Sequence, residues 1–174
     1  NISGEKFSGK THLTNIFLKK FDGIRIESNL LNDENLKSIK PYQNIVLEDL
    51  DLNINEKLIY TLFNIIDQDN KFLIITSLKS VAEIDFKLED LKSRTKNCLL
   101  AKIENPDDEL MFALILKNLS DRQITLDKKL IDFIIKRIDR SYGKIFEFIY
   151  KIDKISLKKK KSIDFKIINE ALEE

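Results

Sequence analysis

The sequence predicts an α/β base built on a parallel sheet, followed by an all-helical region, and three observations carry that prediction. Up to about Lys102, short apolar runs alternate with helical stretches, the pattern of a parallel, doubly wound sheet. The eight residues Gly4-Glu5-Lys6-Phe7-Ser8-Gly9-Lys10-Thr11 spell G-x-x-x-x-G-K-T between a strand end and a helix start. After Asn105-Pro106 no convincing strand remains.

The elements follow in order. Asn1-Ile2-Ser3 reads as the tail of a strand, so more chain is expected ahead of it. Thr11 to Phe21 reads as a helix with Leu13, Ile16, Phe17 and Phe21 on one side and Lys19-Lys20 near its end. Ile24 to Glu27 is a strand, and Asp33 to Ile39 a short helix that stops before Pro41. Asn44 to Leu47 is a β-branched strand ending in Glu48-Asp49. Asn55 caps a helix to about Asp67, with Leu58, Ile59, Leu62, Phe63 and Ile66 apolar. Lys71 to Thr76 is a buried strand, Leu88 to Lys96 a helix, and Cys98 to Ile103 a last strand. Beyond Pro106 come amphipathic helices at about 107–119, 127–138, 142–155 and 164–172, the last three capped by Asp127, Ser141 and Asp164. The expected division is therefore 1–103 and 104–174.

Composition excludes several classes. No apolar run approaches the roughly 20 residues that span a bilayer, and no secretory signal peptide is visible. The lone Cys98 makes no internal disulfide and reads as a buried strand residue, which suits a reducing, cytoplasmic setting. With 30 basic against 29 acidic residues, bulk charge points to no partner. Lys158 to Lys161 reads as a solvated loop rather than a nucleic-acid patch, since no aromatic or arginine is interleaved.

The eight-residue motif reads as a phosphate-binding loop rather than a surface turn with a lysine. Its backbone N–H groups cradle phosphates, Lys10 reaches the β/γ-phosphates, and the Thr11 hydroxyl serves Mg²⁺. Such a loop needs acids at a neighbouring strand end to hold the metal and orient water, and Glu48 and Asp49 supply them, with Asp51 as a spare. Thr76-Ser77 end the next strand, where a polar side chain, Ser77 foremost, either reaches the γ-phosphate or the water, or simply forms a cap or turn. Arg94 is either an arginine finger for a neighbouring subunit's nucleotide or an ordinary helix-end cation. Lys144, at the start of a late helix, either points at phosphates or lies on the surface. His12 follows the loop threonine and is grouped with the nucleotide-binding residues rather than the catalytic ones.

The order of these motifs resembles the AAA+ ATPases of the bacterial replication initiator DnaA. Gly9-Lys10-Thr11-His12-Leu13 and Asp90-Leu91-Lys92-Ser93-Arg94 carry the resemblance most specifically, and it covers essentially the whole chain. The stretches Ile103 to Glu109 and Arg137 to Ser141 look like that family's helical lid. The family's initiators carry a further DNA-binding domain, for which the chain's ending at Glu174 is read as leaving no room, so the layout is closer to the short Hda-like relatives. The resemblance then implies ATP or ADP with Mg²⁺ at Lys10, Thr11, Glu48 and Asp49, with Lys144 as the lid's sensor. It implies DnaA and the DNA-loaded sliding clamp as partners, with homo-oligomers possible, and Arg94 offered in trans to DnaA's ATP. A self-sufficient ATPase such as a helicase loader, and the ATPase portion of an initiator, stand as alternatives. The chain departs from the family at Phe7 (usually glycine), Glu48 (usually aspartate), Leu78 (usually an acid) and Lys144 (usually arginine). Those departures point to weak intrinsic hydrolysis. They also require that Phe7 hold a negative φ with its ring turned away.

Overall fold

A computed structural model describes residues 1–50 and 55–173. The chain divides into two compact units, Asn1–Ile103 and Glu104–Glu174.

The first unit runs β1 (Ile2–Ser3), α1 (Lys10–Lys20), β2 (Gly23–Glu27), α2 (Asp33–Ser38), β3 (Asn44–Leu50), α3 (Glu56–Gln68), β4 (Phe72–Ser77), α4 (Glu89–Lys96) and β5 (Ala101–Lys102). The strands form one sheet in the order β2-β3-β4-β1-β5, parallel at every junction. A central parallel strand is covered on both faces, which is why Ile45, Val46 and Leu47 of β3 are consecutive and fully buried. Helix α3 buries Ile59, Leu62, Phe63 and Ile66, the stripe its periodicity predicts, and Asn55 caps it by accepting the Lys57 N–H at 3.0 Å. In open parallel sheets ligands bind beyond the carboxyl ends of the strands, where the chain order reverses. Here β1 lies between β4 and β5, so the loop leaving β1 emerges beside the end of β4, with the end of β3 one strand further along the sheet.

Three expectations are corrected. The last strand is Ala101–Lys102 rather than Cys98 to Ile103, because its ladder partner is the two-residue β1. Cys98 therefore sits partly buried in a bend after α4, and Leu99 is 90% exposed. The apolar side expected for α1 is not its buried side: Leu13, Ile16 and Phe21 are exposed and Phe17 is half-buried, while Lys10 and Thr14, one turn apart, are the buried pair.

The second unit contains α5 (Asp108–Asp121), α6 (Lys128–Ile135), α7 (Tyr142–Lys159) and α8 (Phe165–Glu173). Its core is rich in isoleucine, including Ile115, Ile134, Ile149 and Ile168, each fully buried. Asp107, Ser141 and Asp164 cap α5, α7 and α8 through their side chains, whereas Asp127 precedes α6 without a side-chain cap bond. Helix α7 continues to Lys159, so half of the lysine run is helical rather than loop.

Candidate nucleotide-binding site

The loop between β1 and α1 is tied down at its entry, where the Gly4 N–H donates to the Ser77 carbonyl at 3.1 Å. At its exit Gly9 caps α1 with φ 94° and ψ 12°, a left-handed conformation open to glycine without penalty. The Gly9 carbonyl then accepts the Leu13 N–H at 3.1 Å, starting the helix. A side chain at Gly4 would place its Cβ 2.8 Å from Ser8 Oγ and 3.0 Å from Ile103 Cβ, so any residue larger than glycine requires these neighbours to shift. Ser8 Oγ is itself buried without a hydrogen-bond partner among the described residues. Phe7 departs from expectation: its φ is +66°, not negative, although its ring does turn outward and is 60% exposed. The helix start carries no acidic side chain in its first turn. Its free N–H groups and dipole therefore favour an anion.

Lys10 is buried and donates to the carbonyls of Gly4 and Glu5, both at 2.8 Å. Burial pushes its pKa below the ordinary lysine value, opposed by the charges of Asp49, Glu48 and Glu5.

The acid pair at the end of β3 is split by a β-bulge. Leu47 pairs with Ile75 but Leu50 with Ser77, so β3 carries one extra residue. Asp49 takes up that extra length at φ +53°, with its N–H donating to Thr76 Oγ1 at 2.9 Å and its carbonyl accepting Ser28 Oγ at 2.6 Å. Its carboxylate is exposed on the cleft. Glu48 is instead buried. It accepts the Thr11 hydroxyl at 3.3 Å on Oε2 and the Thr14 hydroxyl on Oε1, and Arg25 Nε lies 3.6 Å from Oε1.

A cleft of about 620 Å³ opens over these groups, lined by Lys6, Phe7, Ser8, Gly9, Lys10, Thr11, Asp49, Leu50 and Leu78. Lys10, Thr11, Glu48 and Asp49 are thus brought together. Ser77 is not among the lining residues: its hydroxyl accepts from Asn1 Nδ2 at 2.9 Å and donates to the Lys79 carbonyl at 2.6 Å. Arg94 is not among the lining residues either; it pairs with Asp67 at 2.6 Å and Asp90 at 2.9 Å. His12 is exposed on α1. Lys144 belongs to the second unit and pairs with Glu147 at 3.1 Å. Asp51 lies outside the described residues. Sequence reasoning missed Thr14 and Arg25, and it read Thr76 as a polar strand end rather than as the partner of the Asp49 N–H. The i, i+4 spacing of Lys10 and Thr14, and an arginine inside the strand Gly23–Glu27, were the available signals.

The donor set suits Mg²⁺. It offers hard oxygens only, a hydroxyl and a carboxylate already in contact and a second carboxylate on the cleft wall. Among the described residues no group of three or more His, Cys, Asp or Glu could hold a metal alone. A magnesium ion bound through one or two carboxylates and substrate phosphates needs no such cage.

No family model matches the chain. An uncharacterized protein of Haemophilus influenzae is 27% identical over 98% of this chain and 80% of its own length. The chromosomal replication initiator protein DnaA of Thermoanaerobacter sp. is 25% identical over 95% of this chain. Among solved structures, domain III of DnaA from Thermotoga maritima superposes with a TM-score of 0.75 over 99% of this chain and 82% of that one, at 21% identity. The chain is similar to DnaA in sequence and shares the fold of DnaA domain III. An AMPPCP-bound DnaA from Aquifex aeolicus gives a TM-score of 0.68 at 22% identity, over 90% of this chain and 55% of that one. The chain spans 43% of the length of the Thermoanaerobacter DnaA. Among the described residues no helix is long and apolar enough to cross a membrane.

Proposed function

We propose that this DnaA-related chain is an Hda-like regulator of replication initiation. In this reading it binds ATP or ADP in its own cleft and promotes hydrolysis of the ATP held by DnaA. The observation that carries the nucleotide reading is the meeting of Lys10, Thr11, Glu48 and Asp49 around a glycine-turned loop at a helix start. The AMPPCP carried by a DnaA of the same fold supports it. The loop N–H groups and Lys10 hold phosphates, Thr11 and Glu48 hold Mg²⁺, and Asp49 orients water. Bound Mg²⁺ neutralises charge on the phosphates. The first unit serves as the AAA+ base and the second as its lid, with Lys144 as sensor.

Arg94 supplies the regulatory step. It stands off the chain's own cleft on α4, with its guanidinium reaching the surface, as a group meant for a partner's nucleotide must. DnaA and the DNA-loaded sliding clamp are the partners in this reading, in the cytoplasm. The Haemophilus influenzae relative, matched over 80% of its length, supports a class of proteins built of little more than these two units.

The test is hydrolysis of ATP pre-bound to DnaA, with and without this protein, clamp on DNA, and an Arg94→Ala variant. Removing an operating arginine finger costs about 10³–10⁵ in rate, so the variant should bind nucleotide yet lose the stimulation. A second reading, a self-sufficient ATPase such as a helicase loader, is favoured by one observation: loop, lysine, threonine and both acids all lie within one unit. Turnover of ATP by the protein alone, with DnaA's ATP untouched, would establish that reading instead.

A further inference from the structure

One charged side chain beside the cleft is not used by the nucleotide reading. Arg25 lies on β2, next to β3 in the sheet. Its Nε is buried without a hydrogen bond and lies 3.6 Å from Glu48 Oε1. Its Nη2 donates to Thr14 Oγ1 at 3.4 Å and to the Asn15 side-chain oxygen. Thr14 in turn donates to the same Glu48 oxygen. The acid that would share a metal with Thr11 is therefore already paired with a fixed cation.

We infer that Arg25 is a positioning residue that compensates the Glu48 charge in place, so that nucleotide binding in this cleft depends little on Mg²⁺. The inference rests on the nucleotide reading above. Its physics is that of a buried carboxylate, which must be compensated by some cation. With Arg25 present, a divalent ion held at Glu48 gains less, because part of that carboxylate's charge is already compensated by the guanidinium 3.6 Å away. With Arg25 replaced by a neutral side chain, Glu48 becomes a buried anion whose compensation falls to the metal. Position and charge separate cleanly here. Glu48 remains anchored by the Thr11 and Thr14 hydroxyls on its two oxygens, so a neutral substitution at Arg25 removes charge and leaves the carboxylate where it is. The metal then matters more for holding nucleotide.

The experiment measures the affinity of a fluorescent ADP analogue in Mg²⁺ and in EDTA, for the wild type, Arg25→Gln and Arg25→Lys. The readout is the ratio of the two affinities, which a merely structural role would not move. Groups bonded to metal ligands typically change metal affinity about 10–100-fold. On that scale the wild-type ratio should stay below about threefold, Arg25→Gln should raise it about tenfold or more, and Arg25→Lys should keep it near wild type. The inference is overturned if the wild type loses more than about tenfold in EDTA, or if Arg25→Gln binds ADP with an unchanged ratio. Circular dichroism checks each variant, and the wild-type ratio decides alone should a variant not fold. Failure of the wild type to bind ADP in either buffer overturns the nucleotide reading and this inference together. ADP binding with the wrong ratio overturns this inference alone.

Discussion

Replacing Gly9 with alanine tests whether the phosphate loop is held by backbone conformation. Gly9 sits at φ 94°, and a Cβ built there meets no atom within 4 Å. Steric collision therefore contributes nothing, and the cost is conformational alone. A left-handed backbone costs an L-residue about 1–2 kcal/mol. Restricting the unfolded chain returns about 0.4–1 kcal/mol of that. The net destabilisation should be about 1 kcal/mol, which in a chain of this size lowers the melting temperature by about 2–4 °C. Phe7→Gly is the matched opposite. It relieves about 1–2 kcal/mol of strain at φ +66°. Against that stand about 0.5–1 kcal/mol of glycine entropy and the loss of a ring already 60% exposed. Burying a whole phenylalanine is worth about 1.5–3 kcal/mol, so the buried two-fifths contribute about 0.6–1.2 kcal/mol. The terms nearly cancel, and deletion of an aromatic ring should shift the melting temperature by less than about 2 °C. Thermal melting of the full chain measures both. A neutral Gly9→Ala, or a Phe7→Gly that destabilises by about 2 kcal/mol or more, would refute the reasoning.

Other outcomes follow from the same geometry. Thr76→Val should cost about 1–2 kcal/mol in chemical denaturation, because the Asp49 N–H in the bulge loses its partner at 2.9 Å. Arg94→Ala should cost no more than about 1 kcal/mol, since its partners Asp67 and Asp90 are largely exposed, so any loss of activity in that variant reports function rather than folding. Lys10 has opposite effects on folding and binding at alkaline pH. Its folded pKa lies below 10.5, so between the two values the unfolded chain carries the extra proton, and the stability cost of burying Lys10 shrinks as pH rises. Nucleotide affinity should instead fall across that window as the charge is lost, while Lys10→Arg should stay flat in an alkaline ADP titration series.

Local rules made most of the fold legible in the sequence. The β3 run is apolar because both its faces are covered, and α3 shows a full amphipathic stripe with its asparagine cap. Helix α1 misled, because its most buried side is polar. Lys10 and Thr14 face inward to serve the loop and Glu48, while Leu13 and Ile16 face outward. Periodicity reports that a stripe exists, not which neighbour it meets. Within the site, the loop was legible from glycine placement and the acid pair from its strand end. The bulge was not, because an extra residue in one strand shows only against its partner's register. Arg25 escaped for a related reason. Its partner is 23 positions away in sequence (48 − 25) and becomes a neighbour only when β2 and β3 align.

The bulge at Asp49 also bears on how such a site can be remade by evolution. Asparagine and aspartate are the non-glycine residues that best tolerate a left-handed backbone. The two polar contacts that anchor Asp49 to its neighbours, to Thr76 and Ser28, are made by its main chain rather than its carboxylate. A single change to asparagine would therefore delete the exposed negative charge while the sheet, the bulge and Glu48 stayed as they are. The fold separates the group that would orient water from the groups that would grip phosphate. On the nucleotide reading proposed above, a lineage would thus discard or regain turnover in one step and keep the phosphate-gripping groups intact throughout.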